Sequence, residues 1–267
     1  MDKTTNDYRN YDNANNKVIQ LYKLNHTYQT VDFVKSQINK YCINFDKFKM
    51  TIWEAIDKLD NIIDESDPDL DLPQIIHALQ TSERLKQLYP NTEWISLIGI
   101  LHDLGKIIAL PEIGQEQWAT VGDTFPVGCK FSDKIVYYEF FKNNADFSHP
   151  IYSTKYGMYN KNCGLDNLLF SFGHDEYMYQ VLKHNNCLLP EDGLKIIRYH
   201  SFYSWHKENE YTYFMNKNDE HIKDLCKIFS KADLYSKDNL NIPNTEVLID
   251  SYKESLDKYF PDKILDW

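Results

Sequence analysis

Cysteine is scarce in this chain. Cys42, Cys129, Cys163, Cys187 and Cys226 make an odd number, and no two stand as Cys-x-x-Cys. That argues against a disulfide framework and against a thiolate zinc site, and it suits a reducing, cytoplasmic setting. No run of about 18 apolar residues is present to span a bilayer, so no membrane partner is expected. The first residues, Met1 to Asn6, are polar and lack the apolar core of a secretion signal. Basic residues are outnumbered, 29 Lys and Arg against 40 Asp and Glu, for a formal net charge of -11. Binding a phosphate backbone needs Lys and Arg to neutralise charge, so a nucleic-acid partner is excluded and a small polar substrate or a metal cation fits better. Strand signals are sparse, and there are no internal repeats or linkers.

What remains is a helical pattern. The 267 residues are 42% hydrophobic and 15% aromatic, enough for one large domain with a substantial core. Residues 1–16 are rich in Asn, Asp, Lys and Tyr and read as a mobile arm. Tyr8, Arg9 and Tyr11 are its only parts suited to packing or binding. Apolar residues then recur at helical spacing over 17–40 and again over 51–63. Asp71 is placed to cap the next helix, with Pro73 tolerated in its first turn and Gln74 where a capping box needs it. That helix runs to Tyr89, before Pro90. Another spans Trp94 to Asp103, where Gly105 is placed to supply a left-handed C-terminal residue. Residues 107–165 read as loops and short helices. Helical patterning returns over 176–183, 190–199, 219–235 and 246–259. The expectation is an all-α, monomeric chain with a single helical domain over 17–267.

The chemistry centres on His102-Asp103, side by side at the end of an apolar stretch that begins at Trp94. A buried imidazole beside a buried carboxylate is costly unless something pairs with them, and a metal ion satisfies both. His77, His174, His200 and Asp233 could complete the site. Each alone has an ordinary reading: a satisfied core histidine, or a charge on a helix surface. Together they form a nitrogen- and oxygen-rich set without thiolate, suited to iron, manganese or zinc. Six protein ligands exceed what one catalytic metal takes, so two metals sharing Asp103 is the economical arrangement. Asp175 and Glu176 read as solvated charges or groups outside the ligand set. His26, His149, His184, His206 and His221 lie in polar or mixed sequence and read as structural. In the acidic run 64–71, Asp67, Asp69 and Asp71 mimic the start of an EF-hand loop. Leu72 and Ala78 break the pattern where Gly and Glu are required. A loop offering carboxylates and a hydroxyl to a polyol is the better reading.

With these residues placed, the sequence resembles the myo-inositol oxygenase family over nearly its whole length. The resemblance is carried by Tyr8 to Tyr11, His26 to Val34, the acidic run, His102 to Lys106, Val121 to Cys129, Tyr159 to Leu165, Gly173 to Tyr177 and Arg198 to Tyr203. The His…His-Asp…Asp core alone would be shared with HD-domain phosphohydrolases. The resemblance implies an HD-domain-like helical fold holding two irons as an Fe(II)/Fe(III) pair, with O2 as co-substrate. One iron would be held by His77, His102, Asp103 and Asp233, the other by His174 and His200, with Asp103 bridging. Asp224 is the alternative acid near Asp233. Substrate contacts would fall on Arg9, Asp64, Glu65, Ser66, Lys106, Gly122, Asp123, His200 and Ser201. The implied reaction is the ring-opening four-electron oxidation of myo-inositol to D-glucuronate, with Lys106 and Asp103 in catalytic roles. Lys106 lies one helical turn after His102, where its ammonium can meet an alkoxide. A metal-dependent HD phosphohydrolase is the alternative. It would need basic residues for phosphate, and the likely loops are acidic or neutral.

Overall fold

The computed structural model describes residues 9–68, 72–235 and 244–267. Its helices are α1 (Asn16–Tyr28), α2 (Val31–Tyr41), α3 (Ile52–Lys58), α4 (Gln74–Leu88), α5 (Glu93–Leu101), α6 (His174–His184), α7 (Glu191–Tyr199), α8 (Tyr203–His206), α9 (Asp219–Tyr235) and α10 (Thr245–Asp257), joined by turns and short 3-10 segments. The one sheet among the described residues pairs two residues of β1 (Lys49–Met50) with β2 (Leu265–Asp266), antiparallel, Lys49 opposite Asp266. It ties down the final residue. Trp267 is fully buried and donates its indole N–H to the Met50 carbonyl at 3.1 Å.

Helix α5 is the centre of the fold. Every residue from Ile95 to Leu101 is buried, as expected of a helix that is apolar all round. It packs against α4, α7 and α10. At about 1.5–3 kcal/mol for each fully buried aliphatic side chain, its five Ile and Leu residues anchor the end of the helix at which His102-Asp103 stands. Among the described residues no helix is long and apolar enough to cross a membrane.

Four local expectations are corrected. The apolar pattern over 17–40 is two helices, not one. Thr30 turns extended and its hydroxyl oxygen accepts from the Phe33 N–H, while the Gln29 amide exchanges two hydrogen bonds with the Phe172 backbone. This tertiary clasp outweighs continuous helix across the junction. The stretch 51–63 is α3, opened by a Thr51–Glu54 capping box, followed by a 3-10 turn over Leu59–Asn61. Asp71 lies outside the described residues; Pro73 occupies the N-cap of α4 and Gln74 sends its side chain into the site instead of capping. Gly105 is not left-handed. It sits in a 3-10 segment, Leu104–Ala109, where a Cβ would stand 2.2 Å from the His174 carbonyl oxygen. Its function is close approach, bringing the start of α6 against the end of α5.

The expected mobile arm also needs restating. Residues 9–15 lie on the helical body, with Tyr11 edge-on to Tyr22 and Tyr137 and its hydroxyl 3.0 Å from that of Tyr22. Helix α1 begins at Asn16, capped by the Asn15 side chain. Tyr8 lies outside the described residues.

Candidate metal centre

Six side chains from five elements converge. His77 comes from α4, His102 caps α5, Asp103 follows it, His174 opens α6, His200 caps α7 and Asp233 comes from α9. All six are buried. Asp103 divides its two oxygens between two histidine pairs. Its Oδ2 lies 3.2 Å from His102 Nε2 and 3.8 Å from His77 Nε2. Its Oδ1 lies 3.2 Å from His174 Nε2 and 3.7 Å from His200 Nε2. Asp233 Oδ1 closes the first group, 2.8 Å from His77 Nε2 and 3.6 Å from His102 Nε2. Asp224, the alternative acid, is exposed on α9 and pairs with Lys227.

The donor set fits metal ions. Carbonyl oxygens can only accept, so His102, His174 and His200 each donate Nδ1–H to a backbone carbonyl, those of Gly99, Thr120 and Ile197, all at 2.8 Å. That fixes the tautomer and leaves each Nε2 lone pair facing inward. His174 Nε2 and His200 Nε2 approach to 3.3 Å, about the separation of two nitrogens bound side by side to one small cation. Without a cation the carboxylates hold protons on two of these rings, His102 and His174. Burial pulls the His102 pKa down, but Asp103 and Asp233 outweigh it and raise it to about 9. His174 is pulled down by burial and pushed further up, to about 10, by Asp175 and Asp103. Burial raises Asp103, yet His102 and Lys106 hold it well below the usual carboxylate range.

Asp175 and Glu176 are not solvated. Both are buried. Asp175 Oδ1 lies 2.7 Å from His174 Nε2 and 3.3 Å from His200 Nε2, and its other oxygen accepts from Thr124. His26 and His206 are likewise buried rather than in mixed surroundings. Each holds a backbone carbonyl through Nε2, Val136 and His200 respectively. His149, His184 and His221 lie away from the centre, on Tyr152, Phe45 and Asp192.

A cavity opens over the centre. Arg9, Asp64, Ser66, Lys106, Gly122, His200 and Ser201 all line it, together with His77, His102, Asp103, His174 and Asp233. Lys106 is buried, its Nζ 2.7 Å from Asp64 Oδ2, 2.8 Å from Asp103 Oδ2 and 2.8 Å from Gln74 Oε1. The helix ends before Lys106, so a 3-10 turn rather than a continuous helix carries it to Asp103. Arg9 donates to Asp123 at 2.6 Å and lies 3.6 Å over the Tyr203 ring. Asp123 also accepts from Tyr22. Gly122, at φ +103, turns the loop beneath the Tyr22 ring. Ser66 donates to Asp64 at 2.6 Å. Glu65 is exposed and borders an outer depression with Leu24 and Trp118. Sequence reasoning did not single out Gln74, Tyr22 or Tyr203 for the site. Gln74 carried a competing capping signal, and nothing local distinguishes the two tyrosines.

Comparison with known proteins places the chain as a whole. A family model described as myo-inositol oxygenase matches residues 15–267. The chain belongs to the myo-inositol oxygenase family. It is 45% identical to the inositol oxygenase of Dictyostelium discoideum, over 98% of this chain and 90% of that protein. It is 47% identical to inositol oxygenase 1 of Arabidopsis thaliana, over 96% and 83%. It is 44% identical to the inositol oxygenase of Bos taurus, over 99% and 92%. Family membership covers the whole helical domain, so all six converging residues fall within the matched span.

Proposed function

We propose that the chain cleaves the ring of myo-inositol with O2, a four-electron oxidation giving D-glucuronate, at two irons bridged by Asp103. The observation that carries this reading is the division of the Asp103 oxygens between two histidine pairs beneath a cavity lined by Lys106, Arg9, Asp64, Ser66 and Ser201. His77, His102, Asp103 and Asp233 would hold one iron; Asp103, His174 and His200 the other. When bound, the irons would supply Lewis acidity toward the substrate hydroxyls and a redox centre through which the electrons of the substrate reach O2.

The protein's own groups do the rest. Asp64, Ser66 and Ser201, which line the cavity, would read hydroxyls of a polyol, and Asp123, which does not line it, would act by holding Arg9. Lys106, cationic between Asp64 and Asp103, can donate to a substrate oxygen as it loses its proton and stabilise the charge that develops. Arg9, stacked on Tyr203 and paired with Asp123, holds residues 9–15 against the helical domain and would keep water from the reacting atoms. The free cysteines suit a reducing, cytoplasmic setting. The test is O2 uptake by iron-loaded protein with myo-inositol, with the product assayed as glucuronate, beside phosphate release from nucleotides. Uptake coupled to glucuronate is expected. Phosphate release without uptake would overturn the reading in favour of a phosphohydrolase.

A further inference from the structure

The ring hydrogen bonds described above fix His174 and His200 to nearby backbone. They do not explain what holds α6 against α7 so that the two Nε2 atoms stay 3.3 Å apart. A buried ion pair stands at the junction. Arg198, in the last turn of α7, donates Nε–H to Glu176 Oε2 at 2.7 Å and an Nη2 hydrogen to Oε1 at 3.4 Å. Glu176 lies in the first turn of α6. Both are under 10% exposed. Each is two residues from a histidine, a displacement of about 3 Å along the helix axis. The Arg198 guanidinium is itself fixed, 4.6 Å over the Tyr179 ring and 3.3 Å from the Tyr199 hydroxyl. Gln180 also donates to Glu176 Oε1, at 2.6 Å. Charge placement agrees with the helix dipoles, with an acid at the start of α6 and a base at the end of α7. A forked Arg–carboxylate contact constrains orientation as well as distance, which a lysine cannot reproduce.

We infer that Glu176 and Arg198 are positioning residues that set the spacing of His174 and His200, and with it the affinity of the second metal position. The inference rests on the two-metal reading above. The test titrates metal-free protein with Mn(II) and follows binding by calorimetry and electron paramagnetic resonance, which distinguishes a lone ion from a pair sharing a carboxylate. Wild type should take up two equivalents and show the paired signal; failure of that alone would sink the two-metal reading and leave the clamp without an object. Given two equivalents in wild type, Glu176→Gln should weaken the second at least tenfold, leave the first within about twofold and replace the paired signal with that of a lone ion. Arg198→Lys, which keeps the charge but loses the fork, should fall between. Two equivalents bound with wild-type affinity in both variants would overturn the clamp. So would parallel loss of both equivalents together with helical circular dichroism in both variants, because the pair would then serve folding rather than metal spacing.

Discussion

Replacing Lys106 with Met removes one buried cation and nearly keeps its volume. The structure makes the consequence calculable. Lys106 Nζ lies within 2.8 Å of two buried carboxylates, Asp64 and Asp103. Burial lowers its pKa, but the two carboxylates raise it above the ordinary lysine range. Asp64, pushed up by burial, is drawn below its ordinary value by Lys106. Removing one partner of a buried pair costs about 3–5 kcal/mol, because a charge stays behind unpaired. In metal-free protein Asp64 stays behind without its cation, while Asp103 keeps the protonated His102 and His174 rings at 3.2 Å, so Lys106→Met should lose about that much. With metals bound, Asp103 would be compensated by those ions instead and Asp64 is again the charge left behind, so the loss should be similar. Adding Asp64→Asn should then recover most of it. Urea denaturation of metal-free and metal-loaded protein measures all of these. A metal-free Lys106→Met within about 1 kcal/mol of wild type, or no recovery with Asp64→Asn, would refute the reasoning. The shorter variant Lys106→Ala should keep both metals and lose most turnover; normal turnover would remove Lys106 from the chemistry.

Three further outcomes follow from the geometry. Among the described residues Asp103 is the one carboxylate that faces both histidine pairs, so in Asp103→Ala metal analysis should find the ions lost; full occupancy would rule out a bridge. Metal-free protein should become less stable as pH rises. The folded His102 pKa of about 9 exceeds the ordinary 6.5, so its contribution is complete below pH 6.5 and lost as pH climbs through 9. It amounts to about 3 kcal/mol for this ring alone. Metal must displace those protons, so metal affinity should rise over the same interval, and thermal melts of the two forms across pH 6–9 should diverge. Gly105→Ala forces a Cβ to 2.2 Å from the His174 carbonyl oxygen. It should lower the melting temperature and weaken metal binding, and unchanged binding would show that the start of α6 can move without disturbing His174.

What was legible in the sequence divides along the range of the interaction. Helix existence over 74–89, 190–199 and 219–235 depends on the spacing of apolar residues, a local property, and the observed α4, α7 and α9 follow it closely. The break at Thr30 depends on Phe172, far along the chain, which grips Gln29. Gln74 satisfies a capping pattern locally, yet it starts α4 and its amide oxygen faces Lys106. Gly105 illustrates the same limit. Its position after an apolar run suggested a helix stop, but its actual constraint is a carbonyl 69 residues away in sequence. Local rules identify that a residue is special; only the packed neighbours decide in which of several ways.

The six converging residues were legible because their types are expensive to bury without a partner and they recur in apolar or motif contexts. The residues around them were less so, because their significance lies in pairing. Each cation that lines the cavity is already matched to a carboxylate, Arg9 to Asp123 and Lys106 to Asp64 and Asp103. Phosphate would have to break those pairs, leaving buried carboxylates beside an added anion, an arrangement that costs several kcal/mol per uncompensated charge. A neutral polyol can accept and donate hydrogen bonds while leaving the pairs intact. Counting basic residues in the loops already argued against a phosphate ester. The geometry supplies the stronger reason, since even the two cations present are committed. A preference for an uncharged substrate is therefore what the pairing of the cavity's Arg9 and Lys106 favours.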